Sequence, residues 1–95
     1  MAERGEDDVR RAETALHELA LVLRRVPVGE HTRELHLGGL RVKRDVERWH
    51  TLMPAAQERR AVLEELERLK RTAMVLDRAA ALLLHAADRR AERTT

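Results

Sequence analysis

The sequence predicts an all-α protein with one domain, in which an N-terminal helix, a short second helix and a long C-terminal helix form an antiparallel bundle. Two long segments have apolar residues at spacings of three and four, which is the period of an amphipathic helix. The longer segment contains neither glycine nor proline. A chain of 95 residues buries only about two-thirds of its unfolded surface, so we expect dimerisation to complete the bundle.

The first helix is predicted over about 7–26. Asp7 or Asp8 suits its N-terminus, since a carboxylate can cap free backbone N–H groups and oppose the helix dipole. Pro27 ends it, because proline disfavours helical geometry at the residue before it. Its apolar seam consists of Val9, Ala12, Leu16, Leu19, Leu23 and Val26.

The segment 27–44 admits two interpretations. One is a small β-hairpin at 33–43 that turns at Gly38 and Gly39, a favoured pair for a two-residue turn. The other is a helical turn that ends at Gly38, followed by a second helix that starts near Leu40. The pattern alone does not choose between them, and the segment stays a loop or hairpin in this prediction.

Two helices are predicted after this segment, a short one over 45–53 and a long one over 55–91, with a frayed tail at 92–95. Pro54 separates them and suits the first turn of the longer helix. We expect Trp49, the single aromatic residue, to anchor their junction in the core. The seam of the long helix consists of Val62, Leu66, Leu69, Ala73, Leu76, Ala80, Leu83 and Ala87.

The two halves of the long helix differ in composition. Residues 57–72 have one apolar stripe, whereas residues 73–87 are apolar nearly all round and need cover on several sides. We expect the short helix to lie beside 55–70 and the first helix against 73–91, both antiparallel to the long helix. A second copy of the chain then covers the rest. The predicted interface residues are Met74, Val75, Leu76, Leu82, Leu83 and Leu84.

Residue types argue against catalysis and against a metal or cofactor site. The chain has no Cys, Ser or Tyr, which removes the common hydroxyl and thiol nucleophiles and zinc–thiolate sites. The five histidines lack the spacing of a metal motif. No apolar run is long enough to span a bilayer, and the acidic N-terminus does not resemble a signal peptide. We therefore expect a soluble, cytoplasmic, non-enzymatic protein without a membrane partner.

These features favour a protein–protein interaction module, such as an adaptor, inhibitor or regulatory subunit, that acts through a homo-oligomeric bundle. The partner is a second copy, with another protein as a further candidate. The alternative is a nucleic-acid-binding regulator that uses the arginine-rich segment 41–60 to contact phosphates. The lack of aromatic residues other than Trp49 makes base stacking a poor mechanism for it. Its candidate phosphate contacts are Arg41, Lys43, Arg44, Arg48, Arg59 and Arg60.

Overall fold

A computed structural model describes the backbone of residues 2–94 and the side chains of residues 5–93. Its three α-helices are α1 (Ala2–Leu23), α2 (Arg33–Arg48) and α3 (Ala56–Thr94), and the described residues contain no strand. The prediction of an all-α fold is confirmed.

Helix α1 begins at Ala2 rather than near Asp7, and it ends at Leu23. Gly5 is buried under the side chain of Met53, whose Cε lies 3.5 Å from the position a Cβ would take. The first turn of α1 is therefore packed against the connection that precedes α3. The chain leaves α1 through a turn at residues 24–26, and Pro27 follows.

Side-chain hydrogen bonds hold the connection between α1 and α2, residues 24–32, in its conformation. Thr32 Oγ1 accepts a hydrogen bond from the backbone N–H of Gly29 at 2.8 Å and donates one to the carbonyl oxygen of Pro27 at 2.6 Å. The ring of His36 hydrogen-bonds the carbonyl oxygen of Val26 at 2.9 Å. These bonds tie the start of α2 to the end of α1, as a short helix–helix connection requires.

Helix α2 runs without a break through Gly38 and Gly39, where the sequence left open a hairpin at 33–43 or a helix ending at Gly38. A Cβ on Gly38 would lie 3.1 Å from a methyl carbon of Leu69 on α3, and one on Gly39 would lie 3.2 Å from a methyl carbon of Leu23 on α1. The two glycines therefore allow close approach of helices on two sides, although glycine weakens a helix by itself.

The predicted short helix over 45–53 is wrong in its bounds, because residues 45–48 form the end of α2 and 49–55 form the connection to α3. The backbone N–H groups of Trp49, His50 and Thr51 bond back to the last turn of α2. Trp49 is buried beside this turn, which confirms that it anchors the junction in the core.

Helix α3 spans Ala56–Thr94, close to the predicted 55–91. It packs differently from the prediction. Asp8 meets Arg59, Glu18 meets Lys70 and Arg25 meets Asp77, so α1 runs parallel to α3. Helix α2 runs antiparallel to α3.

The order is therefore up, down, up, in which each helix packs against the other two. The expectation that the first helix covers 73–91 is wrong, since α1 and α2 lie side by side on residues 59–77 instead of end to end along α3. Short connections favour this arrangement, because they place consecutive helices antiparallel to each other. The core between the three helices contains Ala12, Ala15, Leu19, Val26, Leu35, Val42, Val46, Trp49, Leu66, Leu69 and Ala73.

Candidate functional site

About the last two-fifths of α3 extends beyond the bundle. Asp77 lies level with Arg25, at the end of α1, with 3.6 Å between the Asp77 Oδ2 and Arg25 Nη1 atoms. We define the arm as residues 78–93, which are exposed except for the half-buried Ala80. The described structure measures 65 × 24 × 17 Å, and its radius of gyration is 17.3 Å. A compact domain of this length has about 12 Å, so the arm makes the molecule long and thin.

Local physics explains why the arm is helical without tertiary cover. Alanine, leucine and arginine, which dominate it, have high helix propensities, and it contains neither glycine nor proline. The bundle already orders the preceding turns of α3, so the arm adds residues to a formed helix and incurs no nucleation cost. The arm therefore needs cover for its apolar side chains but not for its backbone.

One side of the arm continues the core face of α3. Five helical turns, about 18 residues, return a side chain to the same direction. Leu84 thus points the same way as Leu66, which is fully buried, yet Leu84 is 69% exposed. Leu82 corresponds to the outward-facing Glu64, and it is 62% exposed on the other side of the helix.

The predicted interface residues therefore fall into three groups. Leu76 is half-buried and packs against the core. Leu84 is exposed on the continued core face, and Leu83 is exposed beside it, at the position that corresponds to Glu65. The remaining residues are exposed on other sides of α3; they are Met74, Val75 and Leu82.

A second apolar feature lies between α1 and α2, and residues of α3 do not line it. This α1–α2 groove has a volume of about 740 Å³. Its apolar walls include Leu16, Ala20 and Leu23 of α1 and Leu40 of α2. Leu40 is 55% exposed. The groove does not follow from the sequence prediction, because Leu40 lies in the segment predicted as a loop or hairpin, although Ala20 does widen the apolar stripe of α1.

The six predicted phosphate contacts are not gathered on one surface. Lys43 lines the α1–α2 groove together with Glu13 and Glu47, whereas Arg41 shares a recess between α2 and α3 with Asp45 and Glu65. These cations lie beside carboxylates, which compete with a phosphate for them.

The other four cations lie at other places on the molecule, and one of them is largely buried. Arg48 lies near Glu58 at the α2–α3 connection, and Arg60 lines a recess between α1 and α3. Arg44 is exposed on α2. Arg59 is largely buried, at the recess that Arg60 also lines. The structure thus separates residues that the arginine-rich pattern placed in one patch.

Arg59 joins three parts of the chain. Its Nε donates a hydrogen bond to Asp8 Oδ2 at 2.8 Å, and its Nη1 donates one to the carbonyl oxygen of Pro54 at 2.6 Å. A guanidinium can do both at once because its donors form a rigid fork. The side chain therefore ties the start of α1 and the α2–α3 connection to α3.

A second ion pair links α1 to α3 near the middle of the bundle. Lys70 Nζ donates to Glu18 Oε2 at 2.7 Å, and Glu67 Oε1 lies 3.7 Å away. The hydrogen bond to Glu18 raises the pKa of Lys70 above its ordinary value, against a smaller lowering by burial. On the outer face of α3, the hydrogen bond to Glu65 likewise raises the pKa of Arg68.

Two histidines contact polar groups of other helices or connections. His50 Nε2 lies 3.1 Å from Glu13 Oε1, and His36 contacts the carbonyl oxygen of Val26. His17 and His85 are exposed, as expected from their positions off the seams. Among the described residues, no three His, Cys, Asp or Glu side chains are grouped so that they could hold a metal ion.

Within residues 2–94, none of the helices combines the length and the apolar character needed to cross a bilayer. Comparison of the chain with protein-family models, with curated proteins and with solved structures finds no match. The arm and the α1–α2 groove are therefore interpreted from their own chemistry.

Proposed function

We propose that this protein is a non-catalytic interaction module that self-associates through its arm, residues 78–93. One observation carries the proposal. The apolar face of α3 that is buried in the bundle continues into the arm, where Leu84 is 69% exposed, and Leu83 beside this face is 72% exposed. Water contact with such a continuous apolar stripe is unfavourable, and burial of each leucine is worth roughly 1.5–3 kcal/mol.

The proposed partner is a second copy of the chain. Every copy carries the same uncovered stripe, so a symmetric pair removes the exposed leucines of both chains at once. The resulting homodimer would act as an adaptor, inhibitor or regulatory subunit. In these roles the assembled bundle would bind a second, different protein. We place it in the cytoplasm, because a chain without cysteine suits a reducing compartment.

We do not extend the proposal to nucleic acid. Phosphate binding gains strength when several cations act on one stretch of backbone. Arg41, Lys43 and Arg48 line separate recesses, each with acidic neighbours, and Arg59 is buried.

Sedimentation equilibrium over a wide range of protein concentration tests self-association. We expect a reversible monomer–dimer equilibrium for the wild-type chain. The variant Leu84→Glu should dissociate at a concentration at least about tenfold higher, because it buries a charge in the contact. Helix content by circular dichroism and the fluorescence of Trp49 control for folding, since Leu84 is exposed in the monomer. A wild-type chain that stays monomeric throughout contradicts the proposal.

A further inference from the structure

We infer that the arm of one chain binds in the α1–α2 groove of its partner, and that the two chains exchange arms reciprocally. The inference rests on the proposed function and specifies how the dimer forms. It connects two uncovered apolar features of the molecule, the arm and the groove, which lie on different elements.

The apolar chemistry of the arm matches the surface it would meet. In the bundle, Leu66 and Ala73 of α3 are fully buried by apolar side chains of α1 and α2. Ala80, Leu83 and Ala87 continue the same seam at spacings of three and four. A helix with this stripe packs against apolar side chains that α1 and α2 provide together. The α1–α2 groove is a second such place, on the side that α3 leaves open.

The apolar part of the arm, residues 79–87, carries almost no charge, and charged residues follow it from Asp88 to Arg93. Residues 79–87 contain one titratable side chain, His85, which lies away from the core face of α3. The groove walls at Leu16, Ala20, Leu23 and Leu40 are likewise apolar, and charged side chains such as Glu13, Lys43 and Glu47 also line the groove. Alanines in the arm allow its backbone to approach these walls closely, as a fourth helix in a bundle does.

The lengths of the two features agree. The arm has 16 residues, so it is roughly 24 Å long. Helix α2, which forms one wall of the groove, also has 16 residues. An arm that lies along the groove can therefore cover its apolar walls without extending far past either end.

Symmetry sets the direction of the exchange. The arm leaves its bundle at the end where α1 ends and α2 begins, marked by the Arg25–Asp77 ion pair. A two-fold axis perpendicular to α3 beyond this end places a second bundle there in the reverse direction. Each arm then runs back along the other bundle, antiparallel to its α1 and α3. Its core face turns towards α1 and α2 of the partner, just as it does within its own chain.

Two pairs of matched substitutions separate this mode from pairing between two arms. Leu40→Glu alters the groove, and its control Leu37→Glu alters another exposed leucine of α2 that does not line the groove. Leu84→Glu alters the core face of the arm, and its control Leu82→Glu alters the opposite side. All four leucines are exposed in the monomer, so the bundle tolerates each change.

Sedimentation equilibrium provides the measurement. We expect Leu40→Glu and Leu84→Glu each to raise the dissociation constant of the dimer at least about tenfold, and the two controls to change it by less than about twofold. If Leu40→Glu dimerises like the wild type while Leu84→Glu does not, arms pair with each other. That result overturns the inference and leaves the proposed function intact, whereas a monomeric wild type overturns both.

Mixing the two impaired chains gives a more specific readout. The Leu40→Glu chain keeps a normal arm and the Leu84→Glu chain keeps a normal groove. In a mixed dimer one arm–groove contact is therefore unaltered, and both substitutions fall in the other contact. We expect native mass spectrometry to show a heterodimer at concentrations where neither variant alone dimerises. A mixture that stays monomeric there overturns the exchange of arms.

Discussion

One apolar face runs along α3 from the bundle into the arm, and its surroundings differ between these two parts of the helix. In the bundle half, residues 59–77, α1 and α2 cover the core face, and Leu66 is fully buried. In the arm, residues 78–93, the same face continues at the same spacing, and Leu84 is 69% exposed. Periodicity thus shows which side of a helix can be buried. The elements packed beside that side decide whether it is buried within one chain.

The largest expected difference between the halves is in hydrogen exchange. At a concentration where the chain is monomeric, backbone amides of residues 80–91 should exchange at least about a hundredfold faster than those of 63–76. Amides of the bundle half open with global unfolding, and even ~3 kcal/mol of stability slows exchange by about that factor. Exchange monitored by NMR or mass spectrometry measures this. Equal protection in both halves of the monomer contradicts the comparison, and slower exchange in the arm at higher concentration supports the dimer.

Truncation of a leucine should lower the free energy of unfolding by several kcal/mol more in the bundle half than at the matched position in the arm. Leu66→Ala removes a fully buried side chain, so we expect it to lower the free energy of unfolding by about 2–5 kcal/mol. Leu84→Ala, at the equivalent position five turns later, should lower it by less than about 0.5 kcal/mol in the monomer. Urea unfolding followed by Trp49 fluorescence gives both values. A similar loss for the two variants would show that the arm is packed within its own chain.

Loss of the Arg59 side chain should have a smaller effect. Arg59→Met removes the hydrogen bonds to Asp8 and to the carbonyl oxygen of Pro54, and we expect about 1.5–3 kcal/mol of destabilisation. Arg68→Met is the control on the outer face of the same helix, where the ion pair with Glu65 is exposed and its loss should not be measurable. An Arg59→Met chain as stable as the wild type would show that this junction does not hold the bundle half together.

Lys70→Met should destabilise the chain less than Arg59→Met does, by under about 1 kcal/mol at neutral pH, because the ion pair of Lys70 with Glu18 is partly exposed. The pKa of Lys70 is raised in the folded chain, so the folded state holds the proton more tightly than the unfolded state. The contribution is complete below the ordinary lysine pKa of about 10.4 and is lost as pH rises through the raised value. Urea unfolding of both chains across this range should show their difference vanish at high pH.

Some elements could be predicted because their signals are local. The long α3 follows from a run without glycine or proline and an unbroken seam, and the helix breaks near Pro27 and Pro54 follow from the geometry of proline. The burial of Trp49 follows from its place on the apolar side of a helix end. Each of these depends on the residue itself and its neighbours in the chain.

Other features depend on contacts between distant residues. Gly38 and Gly39 have the composition of a turn, but they lie inside α2 because Leu69 and Leu23 pack against the places where their side chains would be. A prediction of 27–44 as a loop or hairpin contains no α2, so it cannot predict the α1–α2 groove. Arg59 was placed among surface cations because its partner Asp8 is far away in sequence.

The sequence by itself determined that the chain is helical, where its long helix runs, and that residues 73–87 of this helix are apolar nearly all round. Only the tertiary structure decided where α1 and α2 lie on it. They pack side by side on residues 59–77, with α1 parallel to α3, and leave the arm uncovered. The physical reason is that an amphipathic stripe favours burial of one face of a helix. Connection lengths and close helix contacts determine which surface covers that face.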